Sequence, residues 1–257
     1  TGYQNLPELN IENPAVRDYL FAAPDSVVRS YLRDGADGWR LDTAYELGRP
    51  FLSMLTASAH AEKPDSVIIG EIVNYPGEWL QSMDGVMTFT FRKLIYSLVR
   101  EEISPALAAR MTAEAIADAG IEAMLKSWTL LDNHDVPRIA NELPDTATRR
   151  MAQVLQFTLP GAPNLYYGSE LGMPGGADPE NRSPMRWDLV NADNPELAWV
   201  RRLIELRKQH RALRIGDYRP VIADRLFAFE RHTDQVLESV VVLVNPANET
   251  VTETVLV

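Results

Sequence analysis

Five apolar runs, "DGWRLD", "SVIIGEI", "GVMTFTF", "SWTLLDNHD" and "APNLYYGSE", punctuate the chain, and a helical segment separates most of them from the next. Apart from short stretches such as "WRLD" and "TFTF", they lack the sustained alternation of a strand with one wet face, so they predict parallel strands under a helical layer. The helices are signalled locally. Asn13 and Pro14 open "AVRDYLF", and Gly35 closes "SVVRSYLRDG". "YELGRPFLSMLTASAHAEK" runs to Pro64, two segments lie within residues 93–126, and "TATRRMAQVLQFTL" follows the fourth strand. "NPELAWVRRLIELRKQHRAL" follows the fifth, with Leu197, Val200 and Ile204 on one face. Five such units predict an α/β barrel. The rival, a doubly wound sheet, lacks support because no strand-to-helix turn carries a GxGxxG or GxxxxGK pattern.

Beyond Leu213 the pattern changes to short β-prone runs, "RLFAFERH" and "SVVVLVNPANETVTETVLV", with no helix between them. The predicted organisation is therefore a catalytic barrel portion over residues 1–213 and the start of an all-β domain over residues 214–257. A net charge of −11, with no basic block or stripe, argues against nucleic acid and anionic membrane as partners. No run is long and apolar enough for a bilayer, so the reading is a soluble protein. The absence of cysteine rules out thiolate chemistry but fits cytoplasmic, periplasmic and secreted compartments alike. The polar opening "TGYQNLPELN" has no initiator Met and no signal-peptide pattern, and suggests a segment of a longer protein.

Three runs end in an acid: Asp42 after "WRL", Glu71 after "IIG", and Asp135 in "LLDNHD". In a parallel barrel those ends open on one face, which predicts that the acids converge. A pair of carboxyl groups flanking a bond is the apparatus of glycoside hydrolysis. Each acid also has a plain structural reading. Asp42 would cap the helix after it, Glu71 would pair with an arginine, His134 and Asp135 would form a hydrogen-bonded turn, and Asp132 would brace the chain. Arg40, two residues before Asp42, points to the same side of its strand and would hold that carboxylate charged and aimed. Two long loops, "VNYPGEW" and "LGMPGGADPENRSPMRW", carry Tyr75, Trp79 and Trp187. Tyr75 and Trp79 offer stacking platforms, whereas Trp187 reads as a loop anchor. A metal hydrolase built on Asp42, Glu71, His134 and Asp135 is an alternative, although His60, His210 and His232 fall away from the strand ends.

Taken together, "DGWRLDTAYELG", "IIGEIVNYP", "LLDNHDVPR" and "YYGSELGMPGGADPENRSPMRW" resemble the α-amylase family of glycoside hydrolases, and "LPELN" at residues 6–10 resembles a further short motif of that family. Within it the chain looks most similar to cyclomaltodextrinases, neopullulanases and maltogenic amylases. It departs from them at Val73, where Trp is usual, and at Tyr45, where Asn is usual. The resemblance implies a (β/α)8 TIM barrel, here its C-terminal portion from strand four to strand eight, followed by the start of a β-sandwich. It implies Asp42 as nucleophile, Glu71 as general acid/base and Asp135 as the acid that stabilises the transition state. It places Arg40, His134, Asn133 and Arg138 among the residues that bind substrate, with Tyr75 and Trp79 added from their loop.

The implied activity is retaining cleavage of α-1,4 or α-1,6 glucosidic bonds in cyclodextrins, maltooligosaccharides or related α-glucans. Two carboxyl groups about 5 to 5.5 Å apart and a protonated Glu71 among Ile68, Ile69, Ile72 and Val73 would suit it. Transglycosylation or isomerisation through the same intermediate, and glucan binding without turnover, are the neighbouring readings. The family's first motif and three strands have no counterpart in this sequence, so the resemblance implies a partner in the remaining amino-terminal part of the same protein, and a homodimer stays open. No cofactor is indicated. Calcium occurs in the family, but no Asp-rich loop here demands it.

Overall fold

The computed structural model describes Asn5 and residues 7–256. Leu6 of the "LPELN" motif lies outside the described residues. The chain divides into two compact units, one ending at Val86 and one beginning at Met87.

In the first unit, α1 (Pro14–Arg17) starts where the Asn13 side chain accepts the Ala15 N–H at 3.0 Å, and it passes into one wider turn, Asp18–Ala22. Next come α2 (Val27–Arg33), β1 (Gly38–Leu41), α3 (Arg49–Glu62) and β2 (Val67–Ile72). β1 and β2 pair in parallel, with Arg40 opposite Ile69 and Leu41 opposite Gly70. The segment expected as one helix from Tyr45 is broken. Residues Ala44–Leu47 make a separate 3-10 turn, and Gly48, at φ 74°, swings the chain into α3, where Pro50 occupies the first turn. Phe21, Leu32, Leu52, Ile68, Ile72 and Val86 share one core, each large side chain stabilising the unit by about 1.5–3 kcal/mol. At its edge Glu62 of α3 takes ion pairs from Arg29 and Arg33 of α2, both at 3.1 Å.

β3 (Gly85–Thr88) is shorter than the run "GVMTFTF" suggested. Its Phe and Thr residues favour a strand, yet α4 (Phe89–Val99) begins at Phe89 because Phe91, Leu94, Ile95 and Leu98 then fall on one buried helical face. After it come α5 (Pro105–Ala119) and α6 (Ile121–Lys126), separated by Gly120 at φ 81°, so residues 89–126 hold three helices where two segments were expected. The unit continues through β4 (Trp128–Leu130), α7 (Ile139–Glu142), α8 (Thr146–Thr158), β5 (Ala162–Asn164), α9 (Pro195–Gln209) and α10 (Arg211–Ile215). β3 pairs with β4 and β4 with β5, all parallel. The last predicted helix is in fact two, α9 and α10, parted at His210.

Three antiparallel strands close the second unit: β6 (Asp217–Pro220), β7 (Phe227–His232) and β8 (Val240–Val244). β6 was illegible because "DYRP" is polar and ends in proline, a residue confined to sheet edges. Among the described residues after Val244, Leu256 makes a β-bridge to Ile222. No described helix is long and apolar enough to cross a membrane.

Candidate active site

In the first unit the site grows from the pairing of β1 with β2. Arg40 and Asp42 lie two residues apart, so both project to one side, and the register sets them beside the carboxyl end of β2, where Glu71 sits. One guanidinium serves both acids: Arg40 Nη1 donates to Asp42 Oδ1, and Nη2 stands 2.9 Å from Glu71 Oε1. The other Glu71 oxygen, Oε2, accepts the Thr43 N–H at 3.0 Å. Thr43 holds that N–H in place with a left-handed backbone, φ 38° and ψ 46°, which a β-branched residue adopts only under strain.

The two acids therefore share a cation but not an environment. The Asp42 side chain is 70% exposed and that of Glu71 is 7% exposed. Asp42 does not cap the turn after it, whose first position has no side-chain hydrogen bond. It opens instead on a cavity of about 250 Å³ lined by Glu8, Leu9, Leu20, Glu46 and Leu47. Gly70, next to Glu71, is closely packed: a Cβ there would meet the Met83 side-chain end at 2.6 Å and Ala44 Cβ at 3.1 Å. Tyr75 is half exposed on its loop, and Trp79 packs its ring partly against the core. Tyr45 and Val73, the two departures from the family pattern, are both exposed.

In the second unit β4 stops at Leu130, and the next carbonyl, that of Leu131, turns away from the sheet to accept Arg92 Nε at 2.8 Å and Tyr96 Oη at 3.0 Å. This exit produces the "DNHD" turn. Asp132 is buried, and its Oδ2 accepts the Ile139 N–H at 2.8 Å and the Ser169 hydroxyl at 2.5 Å. Burial pushes its carboxyl above the ordinary aspartate range, against the pull of those two hydrogen bonds. Its role is structural. Asn133 Oδ1 accepts the N–H groups of Asp135 and Val136, at 2.9 and 3.1 Å. His134 Nε2 lies 3.2 Å from Asp135 Oδ2, and Arg182 Nη2 lies 3.3 Å from Asp135 Oδ1, leaving the Asp135 side chain 43% exposed.

Two residues expected to touch substrate face inward. Arg138 is fully buried, its guanidinium carbon 4.5 Å from the Tyr166 ring centre and 4.6 Å from that of Tyr167, and its Nη1 donates to the Tyr167 carbonyl at 2.5 Å. Stacking on two aromatic faces holds the cation inside. Asn133 is buried as well, its oxygen used by the turn. Trp187 departs the other way: expected as an anchor, it is 74% exposed. Among the described residues no group of three or more His, Asp or Glu side chains is spaced to hold a metal ion.

Sequence reasoning missed Thr43, Ser169, Asn181 and Arg182. Asn181 and Arg182 lie in the long loop after β5, whose length and polarity were the available signal. Asn181 Nδ2 donates to the carbonyls of His134 and Val136, at 2.8 and 3.0 Å, and Arg182 Nε to that of His134 at 3.0 Å.

Parallel strands linked through helices, with acids at their carboxyl ends, define an α/β protein with a site at the carboxyl ends of its strands. The chain belongs to the α-amylase family, since residues 1–194 match the family described as "Alpha amylase, catalytic domain". The fold is accordingly the TIM-barrel one, with an antiparallel β region following. Over 247 residues the chain is 32% identical to a cyclomaltodextrinase of a Bacillus species, covering 93% of this chain and 43% of that protein. Over 239 residues it is 34% identical to neopullulanase 2 of Thermoactinomyces vulgaris, covering 88% of this chain and 39% of that protein. Among solved structures, the cyclic alpha-maltosyl-(1→6)-maltose hydrolase of Arthrobacter globiformis in complex with maltose superposes with a TM-score of 0.83 at 29% identity, covering 93% of this chain and 54% of that one. The chain thus spans about two-fifths of the length of the curated relatives it matches.

Proposed function

We propose that this chain carries the acidic residues of a retaining glycoside hydrolase that cleaves α-1,4 or α-1,6 glucosidic bonds in cyclodextrins, maltooligosaccharides or related α-glucans. The observation that carries the reading is the Arg40 guanidinium held in common by an exposed Asp42 and a buried Glu71. A pair of carboxyls placed in different environments is what double displacement needs, since one must attack while the other handles the proton.

In this reading Asp42, aimed by Arg40, attacks the anomeric carbon from the cavity side. Glu71 gives its proton to the departing glycosidic oxygen as the bond to the anomeric carbon breaks. A glycosyl ester on Asp42 results. Glu71, now the base, takes a proton from water, and the water oxygen displaces Asp42 with a second inversion, so the configuration is retained. Asp135 stabilises the positive charge that develops on the sugar, and His134 beside it binds a sugar hydroxyl. Tyr75, half exposed, offers a face to a sugar ring. No cofactor enters these steps. The substrate class is supported by the names of the similar proteins, which include cyclomaltodextrinases and neopullulanase. The rest of the barrel would be supplied by another segment of the same protein.

Proton NMR of the first products tests the reading. The intact protein, given cyclodextrin, maltotriose and pullulan in turn, should release α-configured reducing ends from at least one. Initial release of the β-anomer would refute retention, and no turnover of any of the three would refute the substrate class.

A further inference from the structure

We propose that Asn181, on the loop after β5, is a positioning residue that holds the backbone on both sides of Asp135; this rests on the reading of Asp135 as the acid that stabilises the transition state. Asn181 is completely buried, on a short 3-10 turn, Glu180–Arg182. Its Nδ2 donates to the His134 carbonyl at 2.8 Å and to the Val136 carbonyl at 3.0 Å, with the Asn133 carbonyl at the longer distance of 3.5 Å. An amide nitrogen has two hydrogens, so the two short bonds use its full capacity. They fall on the residues immediately before and after Asp135. The opposite orientation of the amide would turn its oxygen toward three carbonyl oxygens, so these contacts also fix which atom is the nitrogen.

The turn is gripped from within as well, because Asn133 Oδ1 takes the N–H of Asp135 itself at 2.9 Å. Asp135 thus sits on a backbone segment whose carbonyls belong to one loop and whose amides belong to its own turn. The Asn181 half of that grip comes from the long loop, as do the Arg182 contacts to the His134 carbonyl at 3.0 Å and to Asp135 Oδ1 at 3.3 Å, but of these side chains Asn181 alone spans the backbone on both sides of Asp135. The loop does not depend on Asn181 for its own place. Arg138 N–H donates to the Gly175 carbonyl at 3.0 Å, and Tyr167 Oη donates to the Ser183 carbonyl at 2.7 Å. At Gly175 the packing is so close that a Cβ would lie 2.8 Å from Asn181 Cα. Removing the amide should therefore leave the loop seated while freeing the Asp135 backbone, and misplacing a catalytic group by about 1 Å costs on the order of 100-fold in rate.

The test is a double-mutant cycle in the intact protein, with Asn181→Asp, Asn181→Ser and Asp135→Asn, read as kcat and KM on an aryl α-maltoside whose activated leaving group keeps slow variants measurable. N181D is isosteric and, as a carboxylate, has no donor, and N181S keeps one. With Asp135 present, N181D should lower kcat by about 10- to 100-fold and leave KM within about threefold, with N181S between it and the wild type. In the D135N background N181D should change kcat by less than about twofold, because the group it positions is gone. Equal losses in both backgrounds, or a wild-type kcat for N181D, would overturn the proposal. If N181D fails to fold, N181S is read by the same comparison. A wild-type kcat for D135N alone would instead overturn the reading of Asp135 on which the proposal rests.

Discussion

Arg40 and Glu71 form an ion pair of 2.9 Å across the β1 and β2 strands, and the same guanidinium donates to Asp42. Neither acid on its own accounts for the arginine's position. Glu71 is buried and carries a cationic partner on one oxygen and a backbone N–H on the other, whereas Asp42 meets the same cation at the surface. Loss of Arg40 should thus be felt twice, in stability through Glu71 and in chemistry through Asp42.

Arg40→Met should destabilise the fold by about 1–3 kcal/mol, since it leaves the buried Glu71 carboxyl without its guanidinium partner. The double variant R40M/E71Q should recover much of that loss in urea denaturation. Arg40→Lys keeps the charge but cannot bridge two carboxyls with one flat fork, so it should retain stability while kcat falls by about 100-fold. Equal activity of R40K and wild type would show that the shared geometry is dispensable.

Thr43 provides a second check on how Glu71 is held. A β-branched residue in the left-handed region costs about 1–2 kcal/mol, and glycine there gives back about 0.5–1 kcal/mol of it through its own entropy. Thr43→Gly should consequently be neutral or slightly stabilising in thermal melts and should keep near wild-type kcat. Thr43→Pro, which has no N–H to give Glu71 and cannot adopt φ 38°, should lose most activity.

Asp132 should leave a signature in the dependence of stability on pH. Burial raises its carboxyl above the unfolded value of about 3.9. A folded-state value above the unfolded one means the native state binds the proton more tightly. Its contribution is thus fully present below about pH 3.9 and is lost as pH rises through the higher folded value. Denaturation midpoints of wild type and Asp132→Asn should converge toward the acid end and separate in favour of the variant as pH rises to neutrality. Parallel curves would contradict the burial effect.

Arg231 should prove structural and silent in catalysis. It is fully buried, and its guanidinium donates to the carbonyls of Thr158 and Gly216, both at 2.7 Å, and of Asp217 at 3.2 Å. Beside it Arg207 donates to the carbonyls of Phe157 and Gly161, at 2.9 and 2.6 Å. Arg231→Met would strand several buried acceptors at about 1–3 kcal/mol each. A clear drop in melting temperature with unchanged kcat for the folded fraction is expected.

What the sequence disclosed and what it hid follow a physical line. The side shared by Arg40 and Asp42 was legible because strand periodicity depends on neighbours alone. So was the role of Asp132 as a brace, since an acid at the end of an apolar run invites burial with hydrogen bonds. Phe89 was misread because its run has strand propensity, and only the buried helical face of α4 decides against it. Arg138 was placed against substrate by the family resemblance alone, and its burial could not be foreseen because the two tyrosines that enclose it lie later in the chain. Asn181 could not have been singled out, because its function is defined by carbonyls that approach it only when the loop folds back over the turn.

Trapping the covalent intermediate tests the central claim most directly. The intact protein, incubated with a fluorinated maltosyl fluoride that forms the glycosyl ester faster than it hydrolyses, should gain one glycosyl unit, and peptide mapping should place it on Asp42. A stable label on Glu71, Asp135 or any other residue would contradict the account.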